Sequence, residues 1–257
     1  GSEMCIRDRE AQYKECLLMA EYAENTKHCM VSYYVLSPVG DAKTVGGSYQ
    51  RMFPTMKLYR SYDNADVRRD CNITGAYNPN NRYGSDLSKI PSETVDGYRY
   101  YVPAESSGVA SGTSTALWCT GKFRVSDPKE RSSISANQCV MNYPLMRMAE
   151  VRLQYAEALY FTGDESGARK QFDPVRERVL AGDVSLKKLN EAYYRSDFVE
   201  ELLEERGREL CYESKRKIDL IRFGRITETI EELPSEGGPN NVAVGIDLLK
   251  DLSLIHI

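Results

Sequence analysis

The stretch from Tyr143 to Gly224 constrains the fold most, because two long helix patterns lie within it. In the first pattern, apolar side chains recur at spacings of four, three and four residues, at Ala149, Leu153, Ala156 and Tyr160. This spacing places them along one stripe of an α-helix. We therefore predict a helix that begins close to the start of this stretch and buries the stripe.

The second long pattern, Ser196–Gly224, predicts one long helix and carries a cation inside its apolar stripe. Val199, Leu203, Arg206 and Leu210 repeat the same spacing. An arginine at a core-facing position is costly unless an acid pairs with it. We therefore predict a structural ion-pair network between the packed helices, with the following members: Arg147, Glu150, Glu157, Arg206, Glu209, Glu213 and Arg216.

Local signals divide this stretch into helices. Gly163-Asp164 predicts a turn, and Glu165–Val179 predicts a weaker helix that Pro174 should end, start or kink. Asp197, with a glutamate three residues later, is typical of a capping box at the start of the last long helix. Gly207 lies inside that helix, where glycine is costly, so we expect another helix to pass close to it.

The first part of the chain gives shorter predictions. The spacing in Glu10–Asn25 predicts a helix, and the β-branched and aromatic run Met30–Leu36 predicts a strand. A short helix should begin at Pro54, because proline suits the first turn. The alternating charges of Asp66, Arg68, Arg69 and Asp70 favour a structural or surface ion-pair cluster over a ligand site.

Between Asn72 and Asn142 the helical period is absent, and glycine, serine, asparagine and proline dominate. Only Tyr98–Val102 and Gly121–Val125 are strand-like. Long irregular segments in compact domains are often functional. Flat rings can stack on the apolar faces of sugars, and amides or guanidinium groups can bind the hydroxyls. We select these residues as ligand contacts, although many of the tyrosines could instead pack as core: Tyr77, Arg82, Tyr83, Tyr98, Tyr100 and Trp118.

Composition excludes several function classes. The formal net charge of −4 argues against a general nucleic-acid binder, and no apolar run is long enough to span a bilayer. Seven cysteines and two histidines form no CxxC pair or zinc-ligand spacing, so we expect neither a metal nor another cofactor. No secretory or lipidation motif opens the chain, which predicts either a cytoplasmic protein or a start within a longer sequence. Residues 1–9 and 252–257 are expected to be non-native termini.

The helical stretch resembles the SusD/RagB family. PLMRMAEVRLQYAEA, from Pro144 to Ala158, is similar to the family's "RyAEvlLmyAEA" signature. The family pattern "ER..EL..EG.R..DLiR" matches Glu205-Arg206, Glu209-Leu210, Glu213, Arg216 and the run from Asp219 to Arg222. The segments Pro54–Asp70 and Gly121–Arg124 resemble further family features. The sequence departs from the pattern at Ser214, where the family has glycine, and at Asp173-Pro174.

This resemblance implies a mainly α fold: a SusD-like helical scaffold with long irregular loops and a few short β-strands. The domain would span residues 10–233 and lack the family's amino-terminal, tetratricopeptide-like half. The implied function is non-catalytic binding of oligosaccharides at the bacterial cell surface, for delivery to a SusC-like TonB-dependent transporter. The implied location of the full-length protein is the outer membrane, through a lipid anchor on the missing amino terminus, with no nucleic-acid partner.

Two other classes of protein remain open. A helical-repeat adaptor could bind peptides or protein partners in its grooves, but the long aromatic segment would then have no role. A glycoside hydrolase would use two carboxylates about 5–9 Å apart, one on each side of the scissile bond. We expect the acids instead to pair with the arginines of the helices, because a buried arginine needs such partners.

Overall fold

Helices dominate the part of the chain that the computed structural model describes, which comprises residues 15–20, 56–75, 92–95, 98–101, 118–120, 122, 142–180 and 184–231. The strands within these ranges are β1 (Cys16–Ala20), β2 (Ile73–Gly75), β3 (Ser92–Val95), β4 (Tyr98–Tyr101), β5 (Trp118–Thr120) and β6 (Tyr143–Arg147). The helices are α1 (Met56–Arg60), α2 (Arg68–Asn72), α3 (Met148–Phe161), α4 (Glu165–Glu177), α5 (Leu186–Tyr193), α6 (Phe198–Glu209), α7 (Arg216–Arg222) and α8 (Ile226–Glu231). The predicted mainly α class with a few short strands is confirmed.

The apolar core lies between α3, α4 and α6. The predicted stripe on α3 is confirmed: Ala149, Leu153 and Ala156 are buried, and Tyr160 packs against the core from its edge. The core cluster consists of Leu153, Ala156, Ala168, Phe172, Phe198 and Leu202. A second small cluster joins Val179 at the end of α4 to Leu189 and Tyr193 of α5.

The helix predicted over Glu10–Asn25 is wrong for Cys16–Ala20, which form strand β1. This strand pairs antiparallel with β6, from Cys16 opposite Arg147 to Ala20 opposite Tyr143. Leucine, methionine and alanine favour a helix locally. The pairing with β6 overrides that preference, as tertiary context commonly does. It also delays the start of α3 to Met148, so the predicted helix does not begin at Tyr143-Pro144.

The second long pattern is two helices, not one. Helix α6 ends at Glu209 and α7 begins at Arg216, and two residues between them, Tyr212 and Ser214, have φ values of +66° and +60°. The left-handed region is costly for residues other than glycine. The glycine of the family pattern at the position of Ser214 therefore has a physical reason, and this turn reverses the chain so that α7 folds back on α6.

The local signals have mixed outcomes. The Asp197 carboxylate accepts a hydrogen bond from the Val199 N–H, as predicted for the amino-terminal cap of α6. Helix α4 continues through Pro174 to Glu177, so of the predicted end, start or kink at Pro174 the helix neither ends nor starts there. A Cβ atom on Gly207 would lie 3.3 Å from Nη1 of Arg216. The close approach is confirmed, and the group that passes is a guanidinium at the start of α7.

Four short strands form an antiparallel sheet in the order β3-β4-β2-β5. Strand β4 confirms the strand prediction for Tyr98–Tyr101. Lys122 lies in a turn, so the strand predicted from Gly121 is not present at that residue. The strand predicted for Met30–Leu36 lies outside the described residues. None of the described helices is long and apolar enough to cross a membrane.

Candidate functional site

A buried cluster of charged side chains surrounds the carboxyl-terminal end of α6. Glu205 is fully buried and accepts hydrogen bonds from three arginines. Nη1 of Arg68 lies 2.8 Å away, and Nε of Arg176 and Nη2 of Arg208 both lie 3.0 Å away. One carboxylate thus joins α6 to α2 and α4.

The cluster continues beyond Glu205 to Glu209 and Glu213, which both pair with Arg147, the last residue of β6. Its guanidinium donates to Glu209 at 2.6 Å and to both carboxylate oxygens of Glu213 at 2.8 and 2.9 Å. Lys122 donates to the backbone oxygen of Glu209 at 2.6 Å and pairs with Glu213. Arg178 also pairs with Glu209. These contacts hold β6 and Lys122 against the end of α6.

The arginines keep the acids of this cluster ionised. Burial opposes ionisation of Glu205, but Arg68, Arg176 and Arg208 outweigh it and hold the pKa of Glu205 well below its ordinary value. The pKa values of Glu209 and Glu213 are also lowered against the effect of burial, mainly by Arg178 and Arg147 for Glu209 and by Lys122 and Arg147 for Glu213.

The segment at Asp66 closes the cluster on another side. Arg68 pairs with Asp66 at 2.6 Å, and the Tyr193 hydroxyl donates to the same carboxylate at 2.6 Å. A backbone hydrogen bond from Val67 N–H to Val179 O, 3.1 Å long, attaches this segment to the end of α4. The charged group predicted here is a structural cluster, and its members Asp66 and Arg68 are buried. Arg69, in contrast, contacts Asn64 near the surface.

The remaining residues of the predicted network form separate pairs. Arg206 donates to Asp219 at 2.7 Å, Glu150 pairs with Lys215 at 3.1 Å, and Glu157 pairs with Arg222 at 2.6 Å. Arg216 donates to the backbone oxygen of Leu203 at 2.6 Å. The structure thus brings Arg147, Glu209 and Glu213 together and places Glu150, Glu157, Arg206 and Arg216 elsewhere.

Sequence reasoning missed several central members of the cluster. Four buried charged residues are absent from the predicted network, namely Glu205, Arg176, Arg208 and Lys122. For Glu205 the signal was available, because it stands beside Arg206 in the family pattern. Arg208 lies over the Tyr193 ring, 3.7 Å from its centroid, and the sequence contains no sign of this contact.

The chemistry of the cluster is structural rather than catalytic. A general acid needs a raised pKa and access to a substrate. Here Glu205, Glu209 and Glu213 have lowered pKa values, and each carboxylate is bound by cations. Among the described residues, no group of three or more histidine, cysteine, aspartate or glutamate side chains is arranged to hold a metal ion.

The structure describes no side chain of the residues predicted as ligand contacts. Tyr77, Arg82 and Tyr83 fall outside the described residues. For Tyr98, Tyr100 and Trp118 the structure describes only the backbone, in β4 and β5. Gly75 of β2 is the register partner of both Tyr101 and Trp118, so the backbone brings β4 and β5 to opposite sides of one strand.

Comparison with known proteins identifies the family. The model of the SusD family matches residues 25–245. The SusD-like protein P2 of Formosa agariphila is 28% identical over 214 residues, which cover 78% of this chain and 37% of that protein. Surface glycan-binding protein A of Bacteroides thetaiotaomicron has a TM-score of 0.57 at 17% identity, over 87% of this chain and 45% of that one. Its complex with laminarihexaose has a TM-score of 0.55 at 18% identity, over 86% and 45%.

These structural likenesses confirm the SusD-like helical scaffold. At such low sequence identity they concern the fold alone. The chain spans less than half of the length of each of these relatives.

Proposed function

The chain belongs to the SusD family, and on that premise we propose that it binds oligosaccharides at a bacterial cell surface without turning them over. Proteins of this family are glycan-binding proteins rather than catalytic enzymes. A relative with the same fold, surface glycan-binding protein A of Bacteroides thetaiotaomicron, was solved with laminarihexaose. The ligand of that relative gives the class of ligand proposed here, a neutral oligosaccharide, and leaves the particular sugar open.

The state of the buried acids is the observation that carries the non-catalytic part of the proposal. Glu205 and Glu209 are the acids at the centre of the buried cluster, and arginines on neighbouring elements hold both as carboxylates. A general acid that protonates a leaving group needs the opposite environment. Helices α3 to α7, called the helical module below, are therefore interpreted as a scaffold that presents the binding loops.

The proposed sugar contacts are those that the sequence predicts in the loop-rich segment, with Trp118 and Tyr83 first. We also propose that residues 10–233 form one SusD-like unit of a longer lipoprotein in the outer membrane. Such a protein would deliver its ligand to a SusC-like TonB-dependent transporter. Carbohydrate uptake is the process in which this binding would take place.

Affinity electrophoresis tests the binding. The 257-residue chain would be run in native gels that contain laminarin, starch, xylan or mannan, beside serum albumin as a reference. We expect at least one polysaccharide to retard the chain, with no reducing sugar released on incubation. Release of reducing sugar would favour a hydrolase. Normal mobility in every gel, together with binding of a defined peptide, would favour an adaptor.

Two substitutions would locate the site. Trp118→Ala and Tyr83→Ala should each reduce retardation in the gel that retards the unmodified chain, because each removes a ring that can stack on a sugar. If both variants migrate like the unmodified chain, the proposed loop contacts are wrong, although the binding itself would stand.

A further inference from the structure

A groove on the surface of the helical module has the chemistry of a second binding site. It consists of two adjoining hollows of about 500 and 450 Å³ along α4 and α5. Asp173, Asn190 and Tyr194 line both hollows and therefore mark the middle of the groove. Small-molecule sites typically measure roughly 300–1,000 Å³, so each hollow has a suitable size.

An exposed aromatic ring is fixed in the middle of this groove. Tyr194 directly follows α5 and is 57% exposed. The Arg169 guanidinium lies over the ring, 4.9 Å from its centroid. Arg169 is itself held by Glu165 at 2.7 Å and by Glu201. The ring is thereby positioned before any ligand arrives, while more than half of its surface remains accessible.

Hydrogen-bonding groups stand beside the ring. The Asn190 amide donates to Asp173 Oδ1 at 2.9 Å, and Arg176 Nη1 donates to the Asn190 oxygen at 3.3 Å. The amide nitrogen keeps a second hydrogen and the carboxylate a second oxygen. Arg176 is only 2% exposed, and its Nη2 has no hydrogen-bond partner among the described residues. Asn190 and Asp173 therefore give the groove both a donor and an acceptor with unused capacity.

The charges of the groove favour a neutral ligand. Four acidic and four basic side chains line the two hollows, namely Glu165, Asp173, Glu191, Glu201, Arg169, Lys170, Arg176 and Lys187. Six of the eight are paired with one another: Arg169 with Glu165 and Glu201, Arg176 with Glu201, and Lys187 with Glu191. A phosphate or a nucleic acid would require an excess of positive charge. A neutral, hydroxyl-rich molecule requires none.

We propose that this groove is a saccharide subsite in which one sugar ring stacks on Tyr194 and its hydroxyls bind Asn190 and Asp173. A pyranose offers an apolar C–H face beside hydroxyl groups, and the groove offers an aromatic face beside an amide and a carboxylate. This inference rests on the proposed function and adds contacts on the helices that are made by residues other than the loop tyrosines. A polysaccharide that contacts Tyr194 and the loop tyrosines at once would bind more tightly than one that contacts Tyr194 alone, through effective concentration.

The test compares two tyrosines of similar exposure. Tyr194→Ala removes the stacking ring, and Tyr155→Ala removes a ring on α3 that is 53% exposed and lines neither hollow. Retardation would be measured in gels with graded amounts of laminarin, starch, xylan or mannan. In the gel that retards the unmodified chain, we expect Tyr194→Ala to bind roughly two- to tenfold more weakly, and Tyr155→Ala to bind as the unmodified chain does.

A third variant separates the ring from its hydroxyl. Tyr194→Phe keeps the ring and should retain most of the affinity, and equal losses for the phenylalanine and alanine variants would contradict stacking. Equal mobility of Tyr194→Ala and the unmodified chain overturns the subsite and leaves the proposed function intact. If none of the four polysaccharides retards the unmodified chain, the proposed function fails and the subsite fails with it.

Discussion

The two ends of α6 are equally buried and are stabilised by different chemistry. At the amino-terminal end, Phe198 and Leu202 pack in the apolar core with Leu153 and Phe172. At the carboxyl-terminal end, Glu205 is just as inaccessible to solvent as Leu202, but it is surrounded by arginines. Apolar burial is non-directional and scales with area. Buried charge needs a partner at hydrogen-bond distance for each ionised group, so the charged end depends on the positions of several other segments.

Acidic pH should weaken the charged end of α6 far more than the apolar end, and this is the largest difference expected between them. The pKa values of Glu205, Glu209 and Glu213 are lower in the folded chain than the value of about 4.3 for glutamate in an unfolded chain. The unfolded chain therefore binds more protons as the pH falls below about 4.3, and stability falls with it. For three carboxylates, the slope of the free energy of unfolding against pH reaches about 4 kcal/mol per pH unit.

Urea unfolding followed by circular dichroism at a series of pH values would measure this slope. In the variant Glu205→Gln the slope should decrease by the contribution of one proton, about 1.4 kcal/mol per pH unit. A free energy of unfolding that is the same at neutral pH and well below the pKa of free glutamate would contradict the ionised state of the cluster.

Glu205→Ala should have the largest effect of any single substitution considered at neutral pH. It leaves Arg68, Arg176 and Arg208 without their shared acid, and loss of a buried ionic partner costs about 3–5 kcal/mol. The free energy of unfolding in urea would measure the loss. Glu200→Ala is the control on the same helix, because this side chain is 42% exposed and pairs near the surface with Arg225. Equal losses for the two variants would show that burial of the pair does not matter.

Leu202→Ala should destabilise the chain by about 3 kcal/mol, within the usual range for leucine truncation in a core. Its loss has a different origin from that of Glu205→Ala, because no charged group changes. We therefore expect the loss to be the same at neutral and acidic pH. The loss from Glu205→Ala should instead shrink below about pH 4.3, because the unfolded unmodified chain then takes up a proton at Glu205 and the variant cannot. A pH-dependent loss for Leu202→Ala would contradict this difference between the apolar and the charged end.

Arg222→Ala should have the smallest effect, below about 1 kcal/mol, as for most exposed ion pairs. Its guanidinium pairs with Glu157 and Asp219 and is 42% exposed. Arg206→Ala removes the other partner of Asp219, which is buried, and should cost several times more. Thermal melting of the two variants gives a direct comparison. Equal melting temperatures would contradict the structural role that the sequence predicts for Arg206.

The sequence predicts the apolar end of α6 and its cap better than the charged end. A stripe such as Leu153 and Ala156 follows from spacing alone, and Asp197 is recognisable as a cap from its neighbours. Arg206 signals that an acid must be near, but its partner Asp219 lies beyond a turn that two left-handed residues create. The spacing of the pattern continues across that turn, so it predicts a single helix.

Strand β1 and the binding loops show two other limits. The local preference of Cys16–Ala20 is helical, and the strand exists because of β6, which is distant in the sequence. The loop residues are selected by composition, since no period places Tyr77 or Tyr83 on a face. The groove at Tyr194 is not predicted at all, because it depends on how α4 and α5 pack and on the contact between Arg169 and Tyr194.

The charged end of α6 also has a consequence for the rate of folding. Arg68 and Glu205 are separated by 137 residues of sequence, and Arg147 and Glu213 by 66. Contacts between such distant segments form only after large loops close, which favours a late step. We expect the helical core to assemble first and the arginines to join it last. Weakening the cluster should therefore speed unfolding and leave the folding rate almost unchanged.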